Sequence, residues 1–287
     1  RRQLSEHPDQ AVLFARNDDG DWSRLILLDE TTMPVVERLL AQADLWTVPD
    51  GATQRRDFAA SLLANSDKRL HRLALRELDA LDYRILRQGE YRLAANNLLD
   101  GLSRLQDQAY TPIRILLLGI VGGDRAREEA SRQIARRMSA GVATNLGAWF
   151  TAAIEIGGVD AIAELEPIMA ASHRPLMPEQ LVEIVRALAV QGASGDRTLR
   201  EQVRTSLLGL AEDYPVAAPM IPAAFMSLSD WSQTDLVQDL VAARAFTSRN
   251  DLLAATAYLA QAYDGSARGL AAALVNDRLR RPVSSEE

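Results

Sequence analysis

Apolar residues fall at helical spacing through most of this chain, and the pattern changes once. Over residues 33–43, Val35, Val36, Leu39 and Leu40 share one face. The same three-and-four spacing recurs in Leu70, Leu73, Ala74, Leu78 and Leu81, and in Ile113, Leu116, Leu117 and Ile120. The first 30 residues read differently. Residues 11–15 (AVLFA) and 22–28 (WSRLILL) are short β-compatible runs, and Asn17-Asp18-Asp19-Gly20-Asp21 between them carries an Asp-Gly turn signal. A β-hairpin followed by helices is predicted. An isolated hairpin is marginal in water, so it packs on the helices or belongs to a β domain further upstream, and the second is favoured.

A turn signal then recurs. It reads Gly122-Gly123-Asp124, Gly157-Gly158-Val159-Asp160 and Gly192-Ala193-Ser194-Gly195-Asp196, and continues as Ser229-Asp230 and Asp264-Gly265. The aspartates step by 36, 36, 34 and 34 residues. A fixed period in this range marks stacked supersecondary units, none of which can bury its apolar face alone. Glycine is expected to end the first helix of each unit in αL geometry, and aspartate to cap the second.

Helix pairs are expected at 145–156 with 160–171, 178–191 with 196–211, 216–227 with 231–245, and 250–262 with 266–278. Earlier, Ser66 or Asp67 caps a helix whose partner runs over about 90–106. Thr111 caps the next helix, with Pro112 at its first position, and Asp124 caps the helix over 125–139. The expected organisation is a hairpin segment over 1–31, capping helices over 32–65, about six helix pairs over 66–279 and a polar tail over 280–287.

The turns resemble those of HEAT-like repeats. The stretches concerned are LLLGIVGGDRA over 116–126, FTAAIEIGGVDA over 150–161 and VRALAVQGASGD over 185–196, with ALRELDALD over 74–82 a fainter copy. The likeness spans roughly 66–278 and lies in period and pattern more than identity. It implies an all-α fold, an α-solenoid built as a right-handed superhelix of antiparallel helix pairs. It also implies an interaction scaffold, although some HEAT-like proteins are lyases or bind cofactors. The hairpin followed by such helices is similar to some exported bacterial envelope proteins, which implies export to the periplasm or cell envelope rather than a cytoplasmic location. A start at Arg1 rather than Met is compatible with a removed signal peptide.

Composition narrows the function. Apolar residues make up 47% of the 287, enough for a continuous core. The net charge of −7 disfavours nucleic acid as a partner, because that needs clustered phosphate contacts. The absence of cysteine excludes disulfides, thiol nucleophiles and Cys-ligated zinc. No uninterrupted apolar run reaches 18 residues, so no membrane-spanning segment is expected. The longest apolar stretch, 216–228, is broken by Pro219 and Pro222.

Candidate chemistry is sparse. His7, His71 and His173 have no ligand-like partner at helical spacing. The repeated aspartates read as helix caps, not a metal ladder. The Asn17–Asp21 turn lacks the spacing of a calcium loop, and Gly122-Gly123 lacks the preceding strand of a phosphate loop. Neither a catalytic site, a metal site nor a cofactor is expected. Arg125, Arg127, Arg132, Arg136 and Arg137 form a basic helix face, and Arg197, Arg200 and Arg204 occupy comparable places two units later. A solvated face is the simple reading. The functional one is a groove for an acidic partner segment, lined by Arg132, Arg136, Arg200 and Arg204, since the guanidinium fork suits carboxylates. Trp149 and Trp231 are expected in the core. The resulting expectation is a non-enzymatic scaffold for a protein or peptide, with a HEAT-derived enzyme or small-ligand binder, its site in the groove, as the alternative.

Overall fold

Two strands and a succession of helices account for the residues that the computed structural model describes: 10–16, 19–48, 51–170 and 175–262. His7, Asn17, Asp18, His173, the Asp264-Gly265 turn, the helix expected over 266–278 and the tail lie outside the described residues. The chain divides into two compact units, Arg1–Arg92 and Leu93–Glu287. The division falls inside the span where the period suggests one continuous array.

In the first unit, β1 (Ala11–Arg16) pairs antiparallel with β2 (Trp22–Leu28). Gly20 in the intervening turn has φ +90°. Helices α1 (Met33–Gln42), α2 (Gly51–Leu62), α3 (Lys68–Asp79) and the single turn α4 (Tyr83–Leu86) follow. The core is formed by α2 against α3, with Phe58, Ala59 and Leu62 facing Leu70, Ala74, Leu75 and Leu78. Trp46 packs on Phe58 at 5.4 Å between ring centroids. Arg55 reaches across to Glu77 at 2.6 Å.

Arg69 fastens the end of the hairpin to α3. Its guanidinium donates to Asp29 Oδ2 at 2.7 Å, to the Leu27 carbonyl at 3.3 Å and to Asp67. Asp67 is also the N-cap of α3, accepting from Arg69 N at 2.7 Å. Asp29 accepts from the Thr32 amide and hydroxyl, and the Thr32 hydroxyl accepts from Asp29 N. The hydrogen bond from Arg69 holds both carboxyls below the usual carboxylate range, with Thr32 adding to the effect at Asp29.

The helix expected over 90–106 is not formed as one element. Residues 89–94 are non-helical, and α5 covers only Ala95–Leu102. The Tyr91 hydroxyl donates back to the Leu86 carbonyl at 2.6 Å, where Gly89 leaves room for the ring. Beyond α5, a 3₁₀ segment Leu105–Tyr110 precedes α6 (Thr111–Val121). The physical cause is Arg114, only 3% exposed. It donates to the carbonyls of Gly101 and Asp107 at 3.5 and 3.3 Å and pairs with the Asp107 carboxylate. Continuous helix would tie up those carbonyls within its own ladder. A buried cation left without them would be costly.

The second unit continues with α7 (Asp124–Ala140), α8 (Leu146–Ala170), α9 (Pro178–Ser194), α10 (Arg197–Asp213), a 3₁₀ segment Pro215–Met220, α11 (Ile221–Ser227), α12 (Thr234–Ala242) and α13 (Arg249–Ala262). Packing follows chain order. Helix α6 lies on α8, α8 on α9, α9 on α11 and α11 on α13, while α7, α10 and α12 pack beside α8, α9 and α13 respectively. Gly119 lets α6 approach α8 closely, since a Cβ there would lie 2.6 Å from Ala152 Cα.

The turns reach similar chain reversals by different local means. Gly122 and Gly123 separate α6 from α7 at φ +72° and +96°, both with extended ψ, a region that only glycine adopts readily. Gly158, at φ +59° and ψ −137°, breaks α8 into two halves. Asp196 caps α10 by accepting from Leu199 N at 2.9 Å. The expected cap at Asp124 is different. Gly123 occupies the cap position, and Asp124 is the first helical residue, with no side-chain cap bond. Thr111 likewise lies inside α6, behind Tyr110 at the cap. Gly195 has φ −81° rather than αL geometry. In the later turns Ser229 and Arg244 take positive φ, +53° and +56°, without glycine.

Among the described residues one helical stretch, Leu146–Met169, is long and apolar enough to cross a membrane. No multi-span bundle is present among them. Its break at Gly158 and its buried Trp149, Phe150, Ile154, Ile162 and Leu165 fit a core element.

Two outcomes are expected. Gly123→Ala should destabilise by about 1–3 kcal/mol, because a Cβ there meets nothing within 4 Å and the cost is backbone alone. Gly209→Ala, in the interior of α10 with equally open surroundings, should stabilise by about 0.5–1 kcal/mol. Denaturant titrations of both variants check this. Acid should weaken the first unit. The folded pKa values of Asp29 and Asp67 lie below the unfolded value of about 3.9. Their contribution is therefore complete above that value and is lost as pH falls below about 4. Asp29→Asn should flatten this dependence, and an unchanged acid profile would contradict the Arg69 clasp.

Candidate functional site

The arginines of α7 and α10 are surface residues held largely by local partners. Arg132 is exposed and paired with Glu129 on its own helix. Arg136 is exposed, with no ion-pair partner among the described residues. Arg200 donates to the Gly192 carbonyl at 3.3 Å. Arg204 lies 3.6 Å from Asp230. Both helices pack against α8, and none of the four residues lines the cleft between α8 and α9.

Their neighbours are engaged in the same way. Arg125 donates to Asn96, Arg127 approaches Glu164 at 3.7 Å and Arg197 pairs with Glu201 at 2.9 Å. The Glu201 hydrogen bond raises the Arg197 pKa. Arg137 is partly buried over the Trp149 ring at 5.9 Å and donates to the Thr144 carbonyl at 3.0 Å. Burial lowers its pKa, and the neighbouring charge of Arg136 adds to that.

More informative is a set of polar ties between residues 36 to 43 positions apart. Glu183 on α9 accepts from Gly147 N at the start of α8, 36 residues away. Gln191 donates to the Thr151 carbonyl at 2.8 Å and Ser206 donates to Glu166 at 2.9 Å, both across 40 residues. Gln180 donates to the Arg137 carbonyl across 43 residues. Glu183 thus satisfies a first-turn amide of α8 that burial would otherwise orphan, while Gln180, Gln191 and Ser206 reach groups one or two helices earlier in the chain. No local motif marks Glu183, Gln191 or Ser206. The only signal in the sequence is a polar residue on an otherwise apolar face.

A shallow cleft of about 360 Å³ lies between the start of α8 and the first turns of α9, lined by Ala143, Thr144, Asn145, Glu179, Val182 and Glu183. Glu183 is already committed to Gly147 N and Arg186. His71 is bonded to the Leu63 carbonyl at 2.8 Å. Trp149 is buried, whereas Trp231 is half-exposed and packs on Tyr258 at 5.3 Å. No group of three or more His, Cys, Asp or Glu among the described residues is arranged to hold a metal ion. No family model, characterised protein or solved structure matches the chain.

Proposed function

We propose that the second unit is a HEAT-like α-solenoid, a right-handed stack of antiparallel helix pairs, and that the chain is a non-enzymatic scaffold binding a protein or peptide. The observation that carries this reading is the set of inter-helix ties spanning 36 to 43 residues, each to a helix one or two places earlier in the chain, beside turns that step by 34–36 residues. Packing in chain order supports it as well. A core built by repetition extends lengthwise and presents a long surface, the feature that suits repeat proteins to extended partners.

The proposed partner is an acidic segment lying along the helices that carry Arg132, Arg136, Arg200 and Arg204. Their ties to Glu129, the Gly192 carbonyl and Asp230 orient three of the guanidinia without burying them. Pre-positioned guanidinia lose less side-chain freedom on meeting a carboxylate.

Quantitative capture from native extract, followed by binding measurements on the enriched protein, tests the reading. Reversing the four arginines to Glu together should weaken the partner at least roughly tenfold, with the circular dichroism spectrum unchanged. Full affinity in the folded variant would remove this face from consideration.

A further inference from the structure

The hairpin has one face open to solvent, and its composition is specific. Cross-strand partners share a face, so Val12 with Leu27, Phe14 with Arg24, and Arg16 with Trp22 lie together. Phe14 is 51% and Trp22 67% exposed, and Arg16 and Arg24 are exposed beside them. Among the described residues neither ring stacks on another ring or on a guanidinium. On the other face Leu28 is buried.

A β-bulge assembles this face. Pairing steps from Leu13 with Ile26 to Phe14 with Arg24, skipping Leu25. Strict alternation from Leu27 would have carried Arg24 and Trp22 to the face on which Leu28 is buried. The skipped residue returns both to the side of Phe14 and Arg16, the re-aiming that bulges perform.

We propose that this face binds the same face of a second copy of the chain, about a twofold axis running along the ribbon between them. Such a rotation lays β1 of one copy over β2 of the other. Each residue then meets the type that stands opposite it in its own hairpin. Phe14 meets Arg24 of the second copy, Trp22 meets its Arg16, and Val12 meets its Leu27. Every ring faces a guanidinium and the apolar pair faces itself, and symmetry repeats each contact twice. The register alone creates this self-complementarity. A polyanionic partner fits less well, because Asp19 and Asp21 stand exposed at the turn beside the two arginines.

Six residues per copy make a patch smaller than the roughly 800 Å² per partner of a standard interface. Each chain also carries a net charge of −7. These repulsions are screened beyond about 8 Å at physiological ionic strength. A weak, reversible dimer is the form expected of so small a patch.

Analytical ultracentrifugation of the full chain, from about 1 to about 200 μM, tests this. The wild type should dimerise with rising concentration. Phe14→Arg sets Arg over Arg24 of the second copy and should weaken the dimer at least roughly tenfold. The double variant Phe14→Arg with Arg24→Phe exchanges ring and guanidinium across the strands, so every ring again faces a guanidinium, and it should dimerise better than the single variant. Circular dichroism verifies that all variants fold, as exposed positions permit. A wild type that stays monomeric overturns the proposal, and co-sedimentation with oligothymidylate would then assign the face to single-stranded nucleic acid. A dimer indifferent to Phe14→Arg, or a double variant no better than the single one, overturns it equally.

Discussion

The second unit depends on helices that bury their apolar faces against helices near them in the chain. Helix α8 illustrates the constraint. Its first half buries Leu146, Trp149, Phe150 and Ile154, and its neighbours on the two sides are α6 and α9. Close approach is possible because Gly119 presents no side chain to Ala152. The polar ties follow from this arrangement. Once α8 is covered by α9, the first-turn amide of Gly147 loses access to water and Glu183 replaces it, while the buried Gln191 finds its own partner in the Thr151 carbonyl.

The same constraint bears on function. Under the proposed repeat reading the core would grow by addition, and the cleft beside α8 and α9 holds Thr144, Asn145, Glu179 and Glu183, of which Glu183 already bonds Gly147 N and Arg186. Polar chemistry is spread over the surface, in arginines held by single local partners. Such a surface suits recognition of an extended partner, which is why the proposed role is binding. The hairpin is a different device. Its open face owes its composition to one skipped residue in β2, and that face lies in the other compact unit.

Much of the local structure was legible because it is written in local chemistry. The Asp-Gly turn marks the hairpin, Asp67 and Asp196 mark helix starts, and Gly122 and Gly123 mark a chain reversal. Legibility failed where a distant group decided the outcome. Residues 90–94 fall within the helix expected over about 90–106, yet Tyr91 folds back onto Leu86. The interruption before α6 answers to Arg114, whose burial is not visible in the residues around it. Ser229 and Arg244 adopt positive φ that no glycine announces. The bulge at Leu25 has no sequence signature, and neither do the ties from Gln180, Gln191 and Ser206, because each of those requires knowing what packs against a residue 40 or more positions away.

The repeat account is tested most directly by amide hydrogen exchange, read helix by helix, in the wild type and in Ile184→Ala. Ile184 is fully buried in α9, and the cavity should cost about 2–5 kcal/mol. In a stack stabilised by neighbours, protection should fall most in α9, clearly in α8 and α10, and least in α6 and α12. An equal loss of protection in every helix of the unit would mean a single shared core and would contradict the account.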